Sequence, residues 1–163
     1  MTAARLQSLG GQLLMPDAAV FHIDATGSSG GGGQDFTLTT SATEITSFFN
    51  SVRVNRGNHF NTSTGRFTAP IAGIYEFYMY FITGNASDVY RFNFYKNGSD
   101  LGKQLRLDTS DTTNSDYEIG SMKIYEELEA GDYVSIYGLS GSGNNAFVNP
   151  AGNYSFFAGR FIA

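Results

Sequence analysis

The sequence predicts an all-β protein, a sandwich or jelly roll built from about eight to ten short strands. Composition is the first observation behind this. Aromatic residues make up 15% of the chain and charged residues only 15%, with 20 glycines against 3 prolines. Branched and aromatic side chains suit a pleated, half-buried surface. Periodicity is the second. In Gly73–Thr83, GIYEFYMYFIT, Ile74, Glu76, Tyr78 and Tyr80 fall on one face, while Tyr75, Phe77, Met79 and Phe81 fall on the other. The third is punctuation, because glycine- and asparagine-rich turns recur between such runs and nothing after residue 18 has helical spacing. A length of 163 residues fits one domain with a single core.

Residues 1–18 read as a separate N-terminal arm, and residues 19–163 as the domain. Leu6, Leu9, Leu13 and Leu14 have roughly helical spacing, broken by Gly10–Gly11. Four leucines are costly to leave in water, so these residues are the expected partner-binding contacts of the arm. The domain opens with the strand AVFHIDAT and continues through the glycine-rich residues 27–33 to DFTLTT, which alternates cleanly. ITSFFNSVRVN follows, with Phe49, Val52 and Val54 as inward candidates. In FNTSTGRFTAP, Phe60 and Phe67 are expected to enter the core from successive strands. Asn61 to Gly65 would make the turn between them, and Pro70 ends the second strand. VYRFNFYKNG ends in Asn97–Gly98, a strong hairpin signal. KQLRLD, YEIGSMKIYEELEAGDYVSIYGL and NYSFFAGRFIA supply the remaining strands.

Several chemistries are excluded. A net charge of −5 with scattered lysines and arginines offers no phosphate-binding patch, so no nucleic-acid partner is expected. With no cysteine there is neither a disulfide nor a thiolate metal site. The glycine run at 27–33 leads into a strand rather than a helix, so it is not a phosphate loop. His22 and His59 have no paired ligand spacing, and Ser142 lies in a glycine-rich loop rather than a nucleophile elbow. The protein is therefore not expected to be an enzyme. The acidic stretch Leu107–Glu118 offers Asp108, Asp111 and Asp116 as weak calcium candidates. No other cofactor is expected, and no span long enough to cross a membrane occurs.

The order of motifs carries a family resemblance. AVFHIDAT resembles the opening strand of the globular domain of the complement C1q family. FFNSVRVNRGNHFNTSTGRFTAPIAGIYEFYMYF resembles that family's central pattern, with Phe49, Asn50, Val52, Asn55, Gly57, Phe60, Asn61, Gly65, Phe67, Pro70, Gly73, Tyr75 and Phe77 in place. Leu128, Gly131, Asp132 and Val134 match a later element, and Phe157, Gly159 and Phe161 the closing one. The resemblance covers about residues 19–163. It implies a ten-strand jelly roll shared with tumour necrosis factor-like domains, assembled as a homotrimer.

Aromatic residues beyond the needs of one core suggest a three-fold seam, for which Tyr78, Tyr80, Tyr90, Phe92 and Phe94 are the candidates. No collagen-like Gly-X-Y stalk, secretion leader or cysteine is seen, which points to a bacteriophage or bacterial member. The leading expectation is a trimeric virion structural protein, a capsid decoration, cement or fibre-head module on the particle surface, anchored by its arm to a capsid protein. One alternative is a host-surface or glycan recognition module using loops 84–88, 108–116 and 140–152. A further alternative is a secreted cytokine-like ligand.

Overall fold

Alternating side chains build two stacked antiparallel sheets in the computed structural model, which describes residues 19–25, 36–84, 88–109, 117–142, 145–146 and 154–163. The arm of residues 1–18 and the glycine run at 27–33 lie outside the described residues. The strands are β1 (Val20–Ala25), β2 (Phe36–Thr37), β3 (Thr43–Glu44), β4 (Phe49–Asn55), β5 (Phe60–Asn61) and β6 (Arg66–Thr68). They continue with β7 (Gly73–Gly84), β8 (Val89–Lys96), β9 (Ser99–Asp108), β10 (Tyr117–Leu128), β11 (Tyr133–Ser140), β12 (Asn145–Ala146) and β13 (Phe156–Phe161). One sheet runs β10-β7-β13-β1-β4, and the other β5-β6-β11-β8-β9 with β3 also paired to β11. A separate pair joins β12 to β2. The all-β sandwich or jelly roll expected from the alternation is the fold observed, and it is the jelly roll that the family resemblance implies.

The core lies between the two sheets and is dominated by phenylalanine. Phe21 stacks on Phe60 and Phe67 at 5.0 and 4.9 Å and meets Phe157 edge-on at 4.9 Å. Phe81 of β7 stacks face to face with Phe92 of β8 at 3.8 Å, joining one sheet to the other. Such ring pairs add roughly 0.5–1.5 kcal/mol each beyond the area they bury. Tyr75, Phe77, Met79 and Phe81 are all buried, as their shared parity on β7 requires.

Turns follow their local chemistry. Asn97 and Gly98, at φ +51° and +79°, make the hairpin between β8 and β9. In the turn between β5 and β6, the Asn61 carboxamide oxygen accepts from the Ser63 and Thr64 amides, and Gly65 takes φ +71°. Phe60 and Phe67 are direct register partners and both are buried.

Two sets of expectations are corrected. Val52 and Val54 are 53% and 41% exposed rather than inward. They have the opposite parity to Phe49, and the pairing of β1 with β4 slips between His22 and Ile23 and between Asp24 and Ala25. Tyr90, Phe92 and Phe94 are buried in this chain's own core and cannot line a seam between copies. β8 belongs to the six-stranded sheet, where those three residues face the other sheet and Arg91, Asn93 and Tyr95 face away.

Candidate functional site

β7 lies between β10 and β13 in the five-stranded sheet, and its face that turns away from the core is presented outward. Tyr78 and Tyr80 lie there, half-buried beside Phe156 of β13. Cross-strand register explains the grouping: Tyr80 opposes Phe156, while Tyr78 and His22 both oppose the small Ala158. The Phe156 ring stacks on Tyr80 at 5.4 Å and on His22 at 4.5 Å, with Tyr78 at 5.3 Å. Val20 and Val54 extend this surface, and with His22, Tyr78, Phe156 and Ala158 they line an open groove of about 640 Å³. The apolar character of Val54 thus belongs to an outward surface, not to the core.

One end of the groove is charged. Glu76 opposes Arg160 on β13 and Tyr125 on β10. Its carboxylate accepts from Arg160 Nε at 3.1 Å and stands 3.5 Å from Lys123 Nζ. The hydrogen bond from the Tyr125 hydroxyl is the main cause that holds the Glu76 carboxyl below the usual carboxylate range; burial opposes it, and Arg160 and Lys123 add to the lowering. On the other side, His22 Nε2 lies 3.0 Å from the buried carboxylate of Asp24, which also takes the Arg53 guanidinium. A second, smaller groove of about 340 Å³ opens along the free edge of β10, lined by Leu101, Met122 and Ile124 and sharing Lys123 with the first.

At the end of the sandwich where β8 begins, Asp88 ties together three chain segments. Its carboxylate accepts from the amide of Val89 at 2.7 Å, the amide and hydroxyl of Ser142 at 3.0 and 2.8 Å, and the Ser140 hydroxyl. Its carbonyl accepts from the Thr109 amide at 2.8 Å. Burial pushes the Asp88 carboxyl up, but these donors outweigh it and hold the group below its ordinary value. Elsewhere in the six-stranded sheet, Arg66 grips Glu44 with two bonds of 2.7 Å and lies 4.3 Å from the Tyr133 ring centre.

Of the residues expected at a site, Tyr78 and Tyr80 are brought together, and Tyr90, Phe92 and Phe94 are not. Asp108 lies at the end of β9 in a 2.6 Å ion pair with Arg106. Asp111, Asp116 and the arm leucines Leu6, Leu9, Leu13 and Leu14 lie outside the described residues. Among the described residues no group of three His, Asp or Glu side chains stands where it could hold a metal ion. No helix among them is long and apolar enough to cross a membrane. Phe156, Ala158 and Arg160 are not singled out by the sequence, which marks Val54 as inward and His22 as an isolated histidine. The available signal was the adjacent pair Phe156–Phe157, which must face opposite sides of a strand.

A two-sheet antiparallel jelly roll with an aromatic outer face is the class of fold that the strands define. Comparison with known proteins makes this specific. The model of the C1q domain matches residues 34–162, and the chain belongs to that family. It is 30% identical over 114 residues to complement C1q tumor necrosis factor-related protein 2 of mouse and of human. It is 31% identical, over the same length, to complement C1q and tumor necrosis factor-related protein 9 of mouse. Each match covers 70% of this chain, which spans 32–38% of the length of those relatives. Among solved structures, the globular domain of a zebrafish complement 1qA protein superposes with a TM-score of 0.60 at 18% identity, over 89% of this chain and 98% of the other. Murine APRIL superposes with a TM-score of 0.56 at 15% identity, over 88% and 98%. These two likenesses concern the fold.

Proposed function

We propose that the protein is a non-enzymatic recognition module that works as a homotrimer, with the outer face of the five-stranded sheet turned toward the other copies. The observation that carries this is the cluster of His22, Tyr78 and Phe156 in an open groove, with Tyr80 stacked on Phe156 beside it. Apolar rings on an outward face gain about 25 cal/mol per Å² when covered. The face and the β10 edge groove are different surfaces sharing one corner, which suits a head-to-tail contact that closes into a ring. Membership of the C1q domain family supports the same assembly, and the loops would then meet the ligand.

A bacteriophage capsid or virion partner draws no support from the relatives found, which are mammalian. Sedimentation velocity at micromolar concentration tests the assembly. Wild type should sediment as three chains, and Phe156→Arg should sediment as a folded single chain. A monomeric wild type refutes the reading.

A further inference from the structure

We propose that Glu76, Lys123 and Arg160 form a charged lock within the self-association face, selecting a second copy of this chain in one register. The inference rests on the trimer reading above and deepens it. The surroundings are apolar: Val20, Val54, Tyr78, Phe156 and Ala158 line the same groove. Charges on such a face are costly to cover unless each is paired, and a copy docked out of register would leave them unpaired.

The geometry is that of an anion already saturated beneath cations that still reach outward. The Glu76 side chain is 16% exposed and is met by Arg160 at 3.1 Å, Lys123 at 3.5 Å and the Tyr125 hydroxyl. The Arg160 and Lys123 side chains are 59% and 51% exposed. A guanidinium has five N–H donors and an ammonium three, so both can serve Glu76 and a further acceptor at once. One carboxylate against two cations leaves this corner positive on a chain whose net charge is −5. The corner is thus suited to acceptor oxygens of an opposing copy and repels a surface that presents a cation there. Glu76 acts as a positioning residue, aiming the two cations rather than meeting the partner itself.

The test is the trimer dissociation constant from sedimentation equilibrium for the full chain and its Glu76→Gln, Arg160→Gln, Arg160→Lys and double Glu76→Gln/Arg160→Gln variants. Circular dichroism of each variant reports its fold. Each glutamine substitution alone should weaken assembly about tenfold or more, Arg160→Gln by removing the donor to the opposing copy and Glu76→Gln by releasing the cations it aims. The double variant should lose little more than Arg160→Gln alone, because Glu76 acts through Arg160, and Arg160→Lys should lose less than Arg160→Gln. Single variants within about threefold of wild type, or a double variant whose loss is the sum of the two, overturn the lock while leaving the trimer intact. A wild type that does not self-associate overturns the trimer reading itself.

Discussion

Replacing Gly65 by alanine measures how tightly the turn between β5 and β6 is built, and Gly102→Ala supplies its control. Both glycines have nearly the same backbone, at φ +71° and +69°. A left-handed alanine costs about 1–2 kcal/mol on that ground alone. At Gly102 a new Cβ meets nothing within 4 Å, so the conformational cost is the whole effect. At Gly65 the same atom lands 2.2 Å from the Ile45 carbonyl oxygen, well inside van der Waals contact. Relief requires moving Ile45, whose side chain is buried and whose amide donates to Ile136 at 2.9 Å, or Gly65, whose amide donates to Asn61 at 2.8 Å. Weakening one such bond costs about 1 kcal/mol, and partly exposing an isoleucine costs about another 1–2 kcal/mol. The expected loss is therefore about 3–5 kcal/mol at Gly65 against about 1–2 kcal/mol at Gly102. At about 2–4 °C per kcal/mol, Tm should fall by about 6–20 °C and about 2–8 °C respectively. Differential scanning calorimetry at one fixed protein concentration separates the two, since assembly makes Tm concentration-dependent. Equal shifts for the two variants would refute the contact argument, and a shift near zero at Gly65 would refute the backbone argument as well.

Other outcomes follow from the same geometry. Phe92→Ala should cost about 3–5 kcal/mol in denaturant unfolding, as befits a core ring, and should leave a folded chain able to assemble. An assembly defect without a stability loss would restore Phe92 to the seam. Glu44 is held below the ordinary carboxylate value chiefly by its bonds to Arg66. Its contribution is therefore complete above the ordinary carboxylate range and is lost as pH falls through the depressed folded value. Glu44→Gln should flatten that part of the acid limb of a stability–pH curve, and an unchanged limb would assign the acid loss elsewhere. Asp88→Ala leaves the buried Ser140 hydroxyl and the Val89 and Ser142 amides without their acceptor. It should cost about 2–4 kcal/mol by chemical unfolding, and a loss below about 0.5 kcal/mol would contradict its role.

How far the fold was legible depends on whether a residue's environment is set locally. The two faces of β7 follow from parity alone, and the Asn97–Gly98 hairpin and Gly65 turn follow from which residues tolerate positive φ. What parity cannot supply is the sheet to which a strand belongs. β7 and β8 both alternate aromatic with other residues, yet the surplus rings of β7 face outward and those of β8 face the core. That difference is set by long-range pairing with β13 and β11, which leaves no trace in either strand's own text. Val52 and Val54 were obscured for a related reason, since an apolar residue signals burial without saying whether its own core or another molecule will cover it. The charged corner of the groove joins β7, β10 and β13 across 85 residues of sequence, and spacing along the chain does not reveal it.

The ties around Asp88 have a consequence for how this protein can vary. Asp88, Thr109 and Ser142 stand directly beside residues 85–87, 110–116 and 143–144 in the sequence, and all three are bound to one another through Asp88. Insertions or substitutions within those segments therefore start from anchored bases, and their strain need not reach Phe81 or Phe92. Such an arrangement separates inheritance of the scaffold from diversification of what it displays. Sequence change in those three short stretches can then accumulate while the β-sandwich stays unaltered.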